Sequence, residues 1–418
     1  MTRSNKYFFL TISLSLILAI LACNLPVTKI STATVPSTFP VKSTQGIPTQ
    51  IAKVTSTVEI SSPNTDPSQS FAQPRAIVIA RINGDQKIVT IADLHGKLLV
   101  EYSPPSFSGD GDAIAFLGNY SGLAAIPIAY LHMENGSQTL SRFEKGVSQP
   151  VAQASLIMKI ISVPGLQTYA FGTLDFQPGN IFQSALFLSE GGQVPINVLT
   201  IKNTPSVSIT PIAIKMNNTA VVGIYYTMRP WGIGGDIIFQ PQNGVWFLDL
   251  SSHQVKEILS NNETFTGISP DLTWIASVNW TNLKSVHFYN IKDGTKFDFN
   301  TSSDSDRGAG NVVFSPDSSL VAWMEGSGSE MTMNSNFKPR IRIARMNDQG
   351  IIFDQQESYF ASTLGVPVNW VEPVAWLDNN QLLIRIGTEQ QINLLATYTL
   401  QSGTLTKWND GTFLGLVY

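Results

Sequence analysis

One short pattern recurs along this chain: an apolar residue, a turn built on Pro, Asp, Asn or Gly, and then a strand of bulky residues. The clearest copies are residues 314–323 (FSPDSSLVAW), 268–277 (ISPDLTWIAS) and 107–116 (FSGDGDAIAF), and weaker copies lie at 214–222 and 375–383. Pro presets a turn-compatible φ, and Asp or Asn hydrogen-bonds the following backbone. The pattern therefore predicts a repeated tight hairpin.

The spacing of these hairpins favours one all-β architecture over the others. Many short apolar runs separated by turns are typical of a sandwich, a barrel or a propeller. The turns centre near residues 110, 165, 217, 271, 317 and 378, and a period near 50 is expected for four-stranded blades. We therefore predict a β-propeller of seven blades, with six or eight as alternatives.

The two ends of the repeat region are expected to share a blade. Runs 76–82, 87–92 and 98–102 predict three strands with no repeat turn before them, and 412–418 predicts a strand with no blade after it. Pairing the last strand with the first three would close the ring and remove exposed edges.

These motifs resemble the TolB-type, WD-like propeller repeat, whose signature is F-S-P-D-G followed by a strand such as I-A-F. The resemblance implies a propeller over residues 75–418, although the turn glycine survives only as Gly111. It also implies that Asp110, Asp271 and Asp317 are turn residues and not catalytic ones.

The start of the chain predicts an exported, lipid-anchored protein. Arg3 and Lys6 precede an apolar run over residues 7–22, and residues 20–23 (ILAC) resemble the lipobox of bacterial lipoproteins. The resemblance implies a signal peptide over 1–22, cleavage before Cys23 and a diacylglycerol thioether on its sulfur. The alternatives are an ordinary signal peptide or an uncleaved anchor. No later segment reaches the length and apolarity of a membrane span, so we expect an extracytoplasmic location at a membrane surface.

Residues 23–74 are expected to form a disordered tether. Ser, Thr, Pro and Val dominate them, and no period of 2 or 3.6 persists. As a coil, such a segment reaches on the order of 35–40 Å. The tether would hold the propeller away from the membrane.

Composition excludes several functions. Of the 418 residues, 43% are hydrophobic and only 13% are charged, so the chain can form a large core. The net charge of -4 without basic blocks argues against nucleic acid as a partner. The four histidines are far apart and Cys23 is the one cysteine, so we expect no metal cluster of Cys/His type. No motif for a cofactor stands out.

The predicted binding face lies where long insertions gather. Insertions at 175–183, 229–243 and 326–339, with the crossover 358–370, fall on one face of the predicted propeller. Long loops on a rigid scaffold commonly carry function, and Trp and Arg anchor binding sites. The alternative is that these side chains cover the channel mouth. The candidate contact residues are Arg229, Trp231, Asp236, Phe239, Glu330, Phe337, Tyr359 and Trp370.

We therefore expect recognition and not catalysis: a monomeric binding or scaffold module for an envelope protein, a peptide or a glycan. The alternative is a propeller glycosidase or lyase acting on polysaccharide, whose acids need only spatial proximity. No catalytic residue stands in a recognisable motif, and the G-x-S-x-G elbow that a peptidase would need does not occur.

Overall fold

The structure is a computed structural model. It describes residues 73–83, 86–105, 114–116, 127–177, 181–202, 207–230, 243–279, 282–300, 307–327, 338–347, 350–358, 368, 370–388 and 394–418. The chain divides into units 1–65 and 66–418, and all of these residues lie in the second unit. The predicted signal peptide, Cys23 and nearly all of the predicted tether lie outside the described residues.

Every described element is a β-strand, and the alternation of apolar and polar residues along these runs is what favours strands. In chain order they are β1 (Ala76–Asn83), β2 (Gln86–Asp93), β3 (Leu98–Tyr102), β4 (Ile114–Phe116), β5 (Ile128–Glu134), β6 (Ser137–Glu144), β7 (Val147–Ala154), β8 (Leu156–Ser162), β9 (Tyr169–Gln177), β10 (Ile181–Ser189), β11 (Ile196–Lys202), β12 (Val207–Asn217), β13 (Ala220–Pro230), β14 (Asn243–Asp249), β15 (Val255–Ile268), β16 (Trp274–Asn279), β17 (Asn282–Asn290), β18 (Lys296–Asn300), β19 (Arg307–Phe314), β20 (Leu320–Ser327), β21 (Lys338–Asn347), β22 (Gly350–Ser358), β23 (Trp370–Trp376), β24 (Gln381–Gly387), β25 (Leu394–Thr399), β26 (Thr404–Asp410) and β27 (Thr412–Val417).

The strands form antiparallel sheets in the arrangement of a β-propeller. Five sheets have four strands each, in the orders β27-β1-β2-β3, β4-β5-β6-β7, β8-β9-β10-β11, β19-β20-β21-β22 and β23-β24-β25-β26. The sixth has seven strands, β12 to β18 in sequence order. Consecutive strands within each sheet pair as hairpins. Between sheets, β4 contacts β27 and β8, β8 contacts β12, and β19 contacts β15 and β23. The prediction of an all-β propeller is confirmed.

The seven-stranded sheet is continuous through one long strand, β15. Its first part pairs with β14, with Val255 opposite Leu248 and Leu259 opposite Val245. Its last part pairs with β16, and Ile268 lies opposite Ile275. One strand of 14 residues thus belongs to both halves of the sheet.

The end of the chain completes the first sheet. β27 pairs with β1, with Val417 opposite Ala76 and Thr412 opposite Ala80. The Arg75 N–H also donates to the Val417 carbonyl at 2.7 Å. The predicted pairing of the C-terminal segment with the first strands is confirmed.

The hydrophobic core lies between neighbouring sheets. Trp323 is fully buried and meets the Phe299 ring edge to face at 4.9 Å between centroids, so the sheets of β18 and β20 interlock. The backbones of β15 and β19 also approach closely, since a Cβ on Gly267 of β15 would lie 2.4 Å from the carbonyl oxygen of Val312 in β19. Glycine is therefore required at that position.

The Ser-Pro-Asp turns form as the sequence predicts. Ser315 Oγ accepts from the Leu320 N–H at 2.9 Å and donates to Asp317 Oδ1 at 2.7 Å. Ser269 makes the corresponding bonds, donating to Asp271 Oδ1 at 2.5 Å. Asp271 and Asp317 hold their own turns. Asp110 lies outside the described residues.

The 107–116 copy differs from this plan. In the sheet of β20, and in the β15–β18 half of the seven-stranded sheet, the strand after the turn takes the second position, whereas Ile114–Phe116 forms β4, the first strand of its sheet. The reason is that β5, β6 and β7 follow as hairpin-linked strands and fill the other three positions. The strand of this copy therefore occupies a different place in its sheet from the strands of the other two clear copies, and the predicted turn at 107–113 lies outside the described residues.

Candidate functional site

Each sheet has two distinguishable ends. We call lower the end that holds the turns from the first to the second strand, at 163–168, 218–219, 269–273, 315–319 and 377–380, and upper the opposite end. Hydrogen bonds join like ends of neighbouring sheets: Asn379 Nδ2 donates to Asp317 Oδ2 at 2.6 Å below, and Asn311 Nδ2 donates to Glu372 Oε2 at 3.0 Å above. The predicted long connections leave from the upper end.

The predicted contact residues fall into three groups. Those outside the described residues are Trp231, Asp236, Phe239, Glu330, Phe337 and Tyr359. The backbone of Arg229 is described, and it lies near the upper end of β13 opposite Ser208 of β12. Trp370 is the first residue of β23 and only 8% exposed, because its indole packs into the core beside Trp323 and Met324. Trp370 is therefore part of the core and not of an exposed rim.

The expected insertion at 175–183 is mostly regular hairpin. β9 runs to Gln177 and β10 starts at Ile181, so the paired strands extend through most of the segment. Phe176 and Phe182 pack edge to face across the hairpin at 5.5 Å between ring centroids. A cross-strand aromatic pair stabilises such an extension.

A buried ionic cluster lies at the upper end of the sheet of β19 to β22. Glu325 is fully buried, and its Oε2 accepts from Arg340 Nε at 2.8 Å and from the terminal nitrogen Nη2 at 2.6 Å. The other oxygen, Oε1, accepts from Trp323 Nε1 at 3.1 Å and lies 3.5 Å from Arg342 Nε. Arg342 also lies over the Phe299 ring, at 5.5 Å from its centroid. The cluster therefore ties this sheet to the neighbouring one.

The next sheet carries a second, less buried cluster, in which the side chains of Arg385 and Glu372 are 34% and 14% exposed. Glu372 Oε1 lies 2.5 Å from a terminal nitrogen of Arg385, and Glu372 Oε2 accepts from Trp370 Nε1 at 3.1 Å. Asn311, from the adjacent sheet, is the third donor. Burial raises the pKa of the Glu372 carboxyl above its ordinary value, although Arg385 opposes the shift.

The two clusters share one sequence signature that our reading of the sequence missed. In both, a Trp precedes a Glu by two residues on one strand, at 323–325 and 370–372, so both side chains fall on one face of the sheet. An arginine stands directly opposite each acid, Arg340 opposite Glu325 and Arg385 opposite Glu372. The Trp-x-Glu spacing could have identified the acids from sequence. Their arginine partners depend on strand register.

A third polar group lies near the upper end of the seven-stranded sheet. Ser277, His287 and Asp298 stand opposite one another on β16, β17 and β18. His287 Nδ1 hydrogen-bonds Asp298 Oδ1 at 2.6 Å, whereas Ser277 Oγ donates to Glu263 Oε2 at 2.8 Å. Since the serine proton is directed at Glu263, this row lacks the serine-to-histidine bond that nucleophilic catalysis requires.

Within the described ranges, no group of three or more His, Cys, Asp or Glu side chains could hold a metal ion. Within the described part of the chain, no helix is long and apolar enough to span a bilayer. In the upper-end clusters both oxygens of each acid lie within hydrogen-bond or ion-pair distance of Arg, Trp or Asn side chains. Chemically, the clusters stiffen the strands from which the predicted contact loops emerge.

Comparison with known proteins identifies the fold class. No protein-family model matches the chain, and no curated protein matches it. A prolyl endopeptidase structure superposes with a TM-score of 0.54 at 8% identity, covering 81% of this chain and 49% of that one. This chain thus spans about half of the endopeptidase. At such low identity the likeness shows the fold alone, which is a β-propeller.

Similar structures include a TolB protein and an isolated propeller domain. TolB from Acinetobacter baumannii matches with a TM-score of 0.39 at 13% identity, covering 81% of each chain. The β-propeller domain of the Trilobed protease from Pyrococcus furiosus matches with a TM-score of 0.48 at 11% identity, covering 81% of this chain and 97% of that one.

Proposed function

We propose that this chain is a lipid-anchored, extracytoplasmic β-propeller that binds an envelope protein, peptide or glycan through the connections at its upper end. The position of the two Trp-x-Glu clusters carries the proposal. Glu325 lies three residues before connection 328–337, and Glu372 lies five residues after connection 359–367. Strands joined by these ion pairs, one fully and one partly buried, give such loops a rigid base, and preorganised loops bind at a lower entropic cost.

The proposed contact residues are those of the long connections. Trp370 is assigned to the core and leaves the set. Aromatic and arginine side chains are the residue types that anchor recognition sites. The remaining set is Arg229, Trp231, Asp236, Phe239, Glu330, Phe337 and Tyr359.

The proposed ring has seven blades, because the seven-stranded sheet can be divided into β12–β15 and β15–β18 with β15 shared. The residues where the two halves of β15 meet, Ser260, Asn261 and Asn262, are exposed. Inserting two glycines between Asn261 and Asn262 would separate two blades with little loss of stability. A large fall in melting temperature would instead favour a single indivisible sheet.

The proposed anchor is the lipid on Cys23, followed by the tether 24–74. Cys23→Ser in the full chain is expected to release the protein from membranes into the soluble fraction. Retention of this variant in the membrane fraction would contradict lipid anchoring.

A binding screen tests the recognition function. The chain from residue 23, carrying Cys23→Ser, is applied to glycan arrays and to envelope-protein arrays. The matched pair is Trp231→Ala, within a predicted contact loop, and Val194→Ala, an exposed residue at the lower end. A specific signal that Trp231→Ala removes and Val194→Ala keeps supports the proposal. A signal lost equally in both variants contradicts it.

The second candidate function is polysaccharide cleavage, and the raised pKa of Glu372 is the observation that favours it. A carboxyl that stays protonated at higher pH suits a general acid. Against this, both Glu372 oxygens already accept hydrogen bonds from Arg385, Trp370 and Asn311. Cleavage of a bound glycan by the parent, abolished in Glu372→Gln, would establish this alternative.

A further inference from the structure

The exposed apolar side chains of the described residues repeat at one structural position. Four of them are the first residue of the outermost strand of a sheet or half-sheet: Leu98 in β3, Val147 in β7, Ile196 in β11 and Val255 in β15. They are 47%, 57%, 61% and 44% exposed, respectively. We call these four residues the aliphatic row. Single exposed apolar residues are ordinary on protein surfaces, but a repeated position is not.

The register places the whole row at the lower end. Leu98 lies opposite Ala92, Val147 opposite Glu144, Ile196 opposite Leu188 and Val255 opposite Leu248. In each pair the partner is at or next to the lower end of the third strand. In a propeller the sheets stand side by side, so the row follows the lower outer rim across consecutive sheets.

The row stops after β15. The outermost strands of the later sheets, β18, β22 and β26, begin with Lys296, Gly350 and Thr404. The apolar positions therefore occupy one side of the lower rim and not the whole circumference. A one-sided strip of this kind suits contact with a flat surface.

Basic side chains accompany the row. Lys97 precedes Leu98, Lys145 lies two residues before Val147, and Lys256 follows Val255, all exposed. Apolar residues beside lysines are the combination that binds the interface of an anionic bilayer, because the aliphatic groups enter the headgroup region while the ammonium groups meet phosphates.

Acids lie near the row as well. Asp93 accepts from the backbone N–H groups of His95 and Lys97, and Asp249 accepts from those of Ser251 and Ser252, but these neutral donors leave both carboxylates charged. Glu144 is paired with Arg142 at 2.8 Å and lies 3.9 Å from the Lys145 ammonium. Glu190 and Glu257 are exposed acids at or near this end, so the rim carries both signs of charge and the aliphatic row is its distinguishing feature.

The chain outside the described residues joins the propeller at the same end. β1 is the second strand of its sheet and starts at the lower end, where Ala76 lies opposite Val417. Residues 1–72, which contain the apolar run 7–22, therefore lead into the sheet that carries Leu98.

We propose that the lower rim of the first four blades docks on a lipid bilayer, with the aliphatic row in the headgroup region and the neighbouring lysines at the lipid phosphates. The orientation rests on the proposed lipid anchor and places the upper-end loops away from the membrane. Docking would limit the tether to one geometry. A second copy of this chain and another protein are the competing occupants.

Vesicle binding tests the proposal independently of the lipid on Cys23. The chain from residue 23 with Cys23→Ser is mixed with vesicles of phosphatidylcholine alone or with equal phosphatidylglycerol, and bound protein is sedimented. The test variant combines Leu98→Gln, Val147→Thr, Ile196→Thr and Val255→Thr. The matched control replaces two exposed apolar residues of the upper end, Met133→Gln and Phe176→Gln. Thermal melting checks that each variant folds.

The expected result is binding to the phosphatidylglycerol vesicles that falls at least about tenfold in the test variant and is unchanged in the control. Lys145→Ser combined with Lys256→Ser should weaken the same binding without replacing an apolar group. This second variant keeps the test usable if the first one does not fold.

Absence of binding by the parent, or equal binding by test and control variants, would overturn the proposal. Sedimentation of a dimer that only the test variant loses would assign the row to a second copy. None of these results depends on ligand binding at the upper end, so the two proposals fail separately.

Discussion

The upper and lower ends of the propeller are stabilised by different kinds of interaction. The upper end is held by the fully buried Glu325 and the partly buried Glu372, which bond arginine, tryptophan and asparagine, and most of the long connections leave from it. Apart from the longer connection between β4 and β5, the lower end is held by short turns in which Ser and Asp side chains bond the backbone two to five residues on, and its outer rim exposes aliphatic groups. Local hydrogen bonds suffice where the chain reverses within a few residues. Where a long loop interrupts the hairpin, bonds between strands and between sheets do the same task.

Substitutions at the two ends should therefore differ in their cost in unfolding free energy. Removal of one partner from a buried charged pair leaves an uncompensated charge, whereas removal of a turn hydroxyl loses ordinary hydrogen bonds. The following variants test that contrast.

Deletion of residues 412–418 should have the largest effect and affect both ends together. It removes β27, the first strand of its sheet, and exposes β1, whose Ile77 and Ile79 are fully buried. We expect loss of the cooperative thermal transition seen by circular dichroism. A truncated chain that melts like the parent would contradict closure of the first sheet by β27.

Glu325→Ala should cost about 3–5 kcal/mol of unfolding free energy, because Arg340, only 4% exposed, would lose its bidentate partner. The matched control is Lys407→Ala, which breaks a pair with Asp410 whose side chains are more than half exposed. We expect the control to cost less than about 1 kcal/mol. Urea denaturation measures both, and equal costs would refute the assigned role of the upper cluster.

Ser315→Ala should cost about 1–2 kcal/mol, since the buried hydroxyl serves both the Leu320 N–H and Asp317. Ser402→Ala is its control, because the exposed Ser402 hydroxyl hydrogen-bonds the exposed Thr404 hydroxyl at 2.6 Å. The control should change the unfolding free energy by a few tenths of a kcal/mol. A larger loss in Ser402→Ala than in Ser315→Ala would show that the buried turn serine is dispensable.

The two ends should also respond to pH in opposite directions. Burial raises the pKa of Glu372 above its ordinary 4.5. The folded state then holds the proton more tightly, so stability from this group grows as pH falls and is lost as pH rises through the raised pKa. For Asp317, burial acts to raise the pKa, but hydrogen bonds from Ser315, Ser319 and Asn379 outweigh it and leave the pKa below the ordinary 3.8. Its contribution is present above 3.8 and is lost as pH falls through the lowered pKa.

The measurement is unfolding free energy against pH for the parent, Glu372→Gln and Asp317→Asn. Relative to Glu372→Gln, the parent should gain stability on acidification toward 4.5. Relative to Asp317→Asn, it should lose stability below 3.8. The same sign for both variants would contradict the stated origin of the two shifts.

The sequence predicted those parts of the fold that depend on local chemistry. The Ser-Pro-Asp turns, the strand runs and the pairing of the last strand with the first are local or edge features that composition and spacing reveal. The position of Ile114–Phe116 was not predictable from its motif, because the strands that follow decide its place in the sheet. The continuity of β15 was missed for the same reason, since two pairings share one strand.

The candidate site was less predictable. Trp370 was expected in an exposed loop because it ends the predicted crossover 358–370, yet β23 starts at Trp370 and buries its ring. The partnership of Glu325 with Arg340 depends on the register across a connection of ten undescribed residues, 328–337. Such a register cannot be read from spacing. The aliphatic row likewise becomes visible only when each strand has a place in its sheet.

We propose that the two ends of the propeller have different roles, the lower end facing a bilayer and the upper end facing a ligand. The most direct test compares Val147→Cys with Met133→Cys, because a fluorophore on each cysteine would lie at opposite ends of one sheet. Each is labelled in the membrane-anchored full chain, and the parent without an added cysteine reports any label on Cys23. Quenchers in the lipid are expected to reduce the emission of the fluorophore at position 147 and to leave that of the fluorophore at position 133 unaffected. Equal quenching at both positions, or stronger quenching at 133, would contradict it.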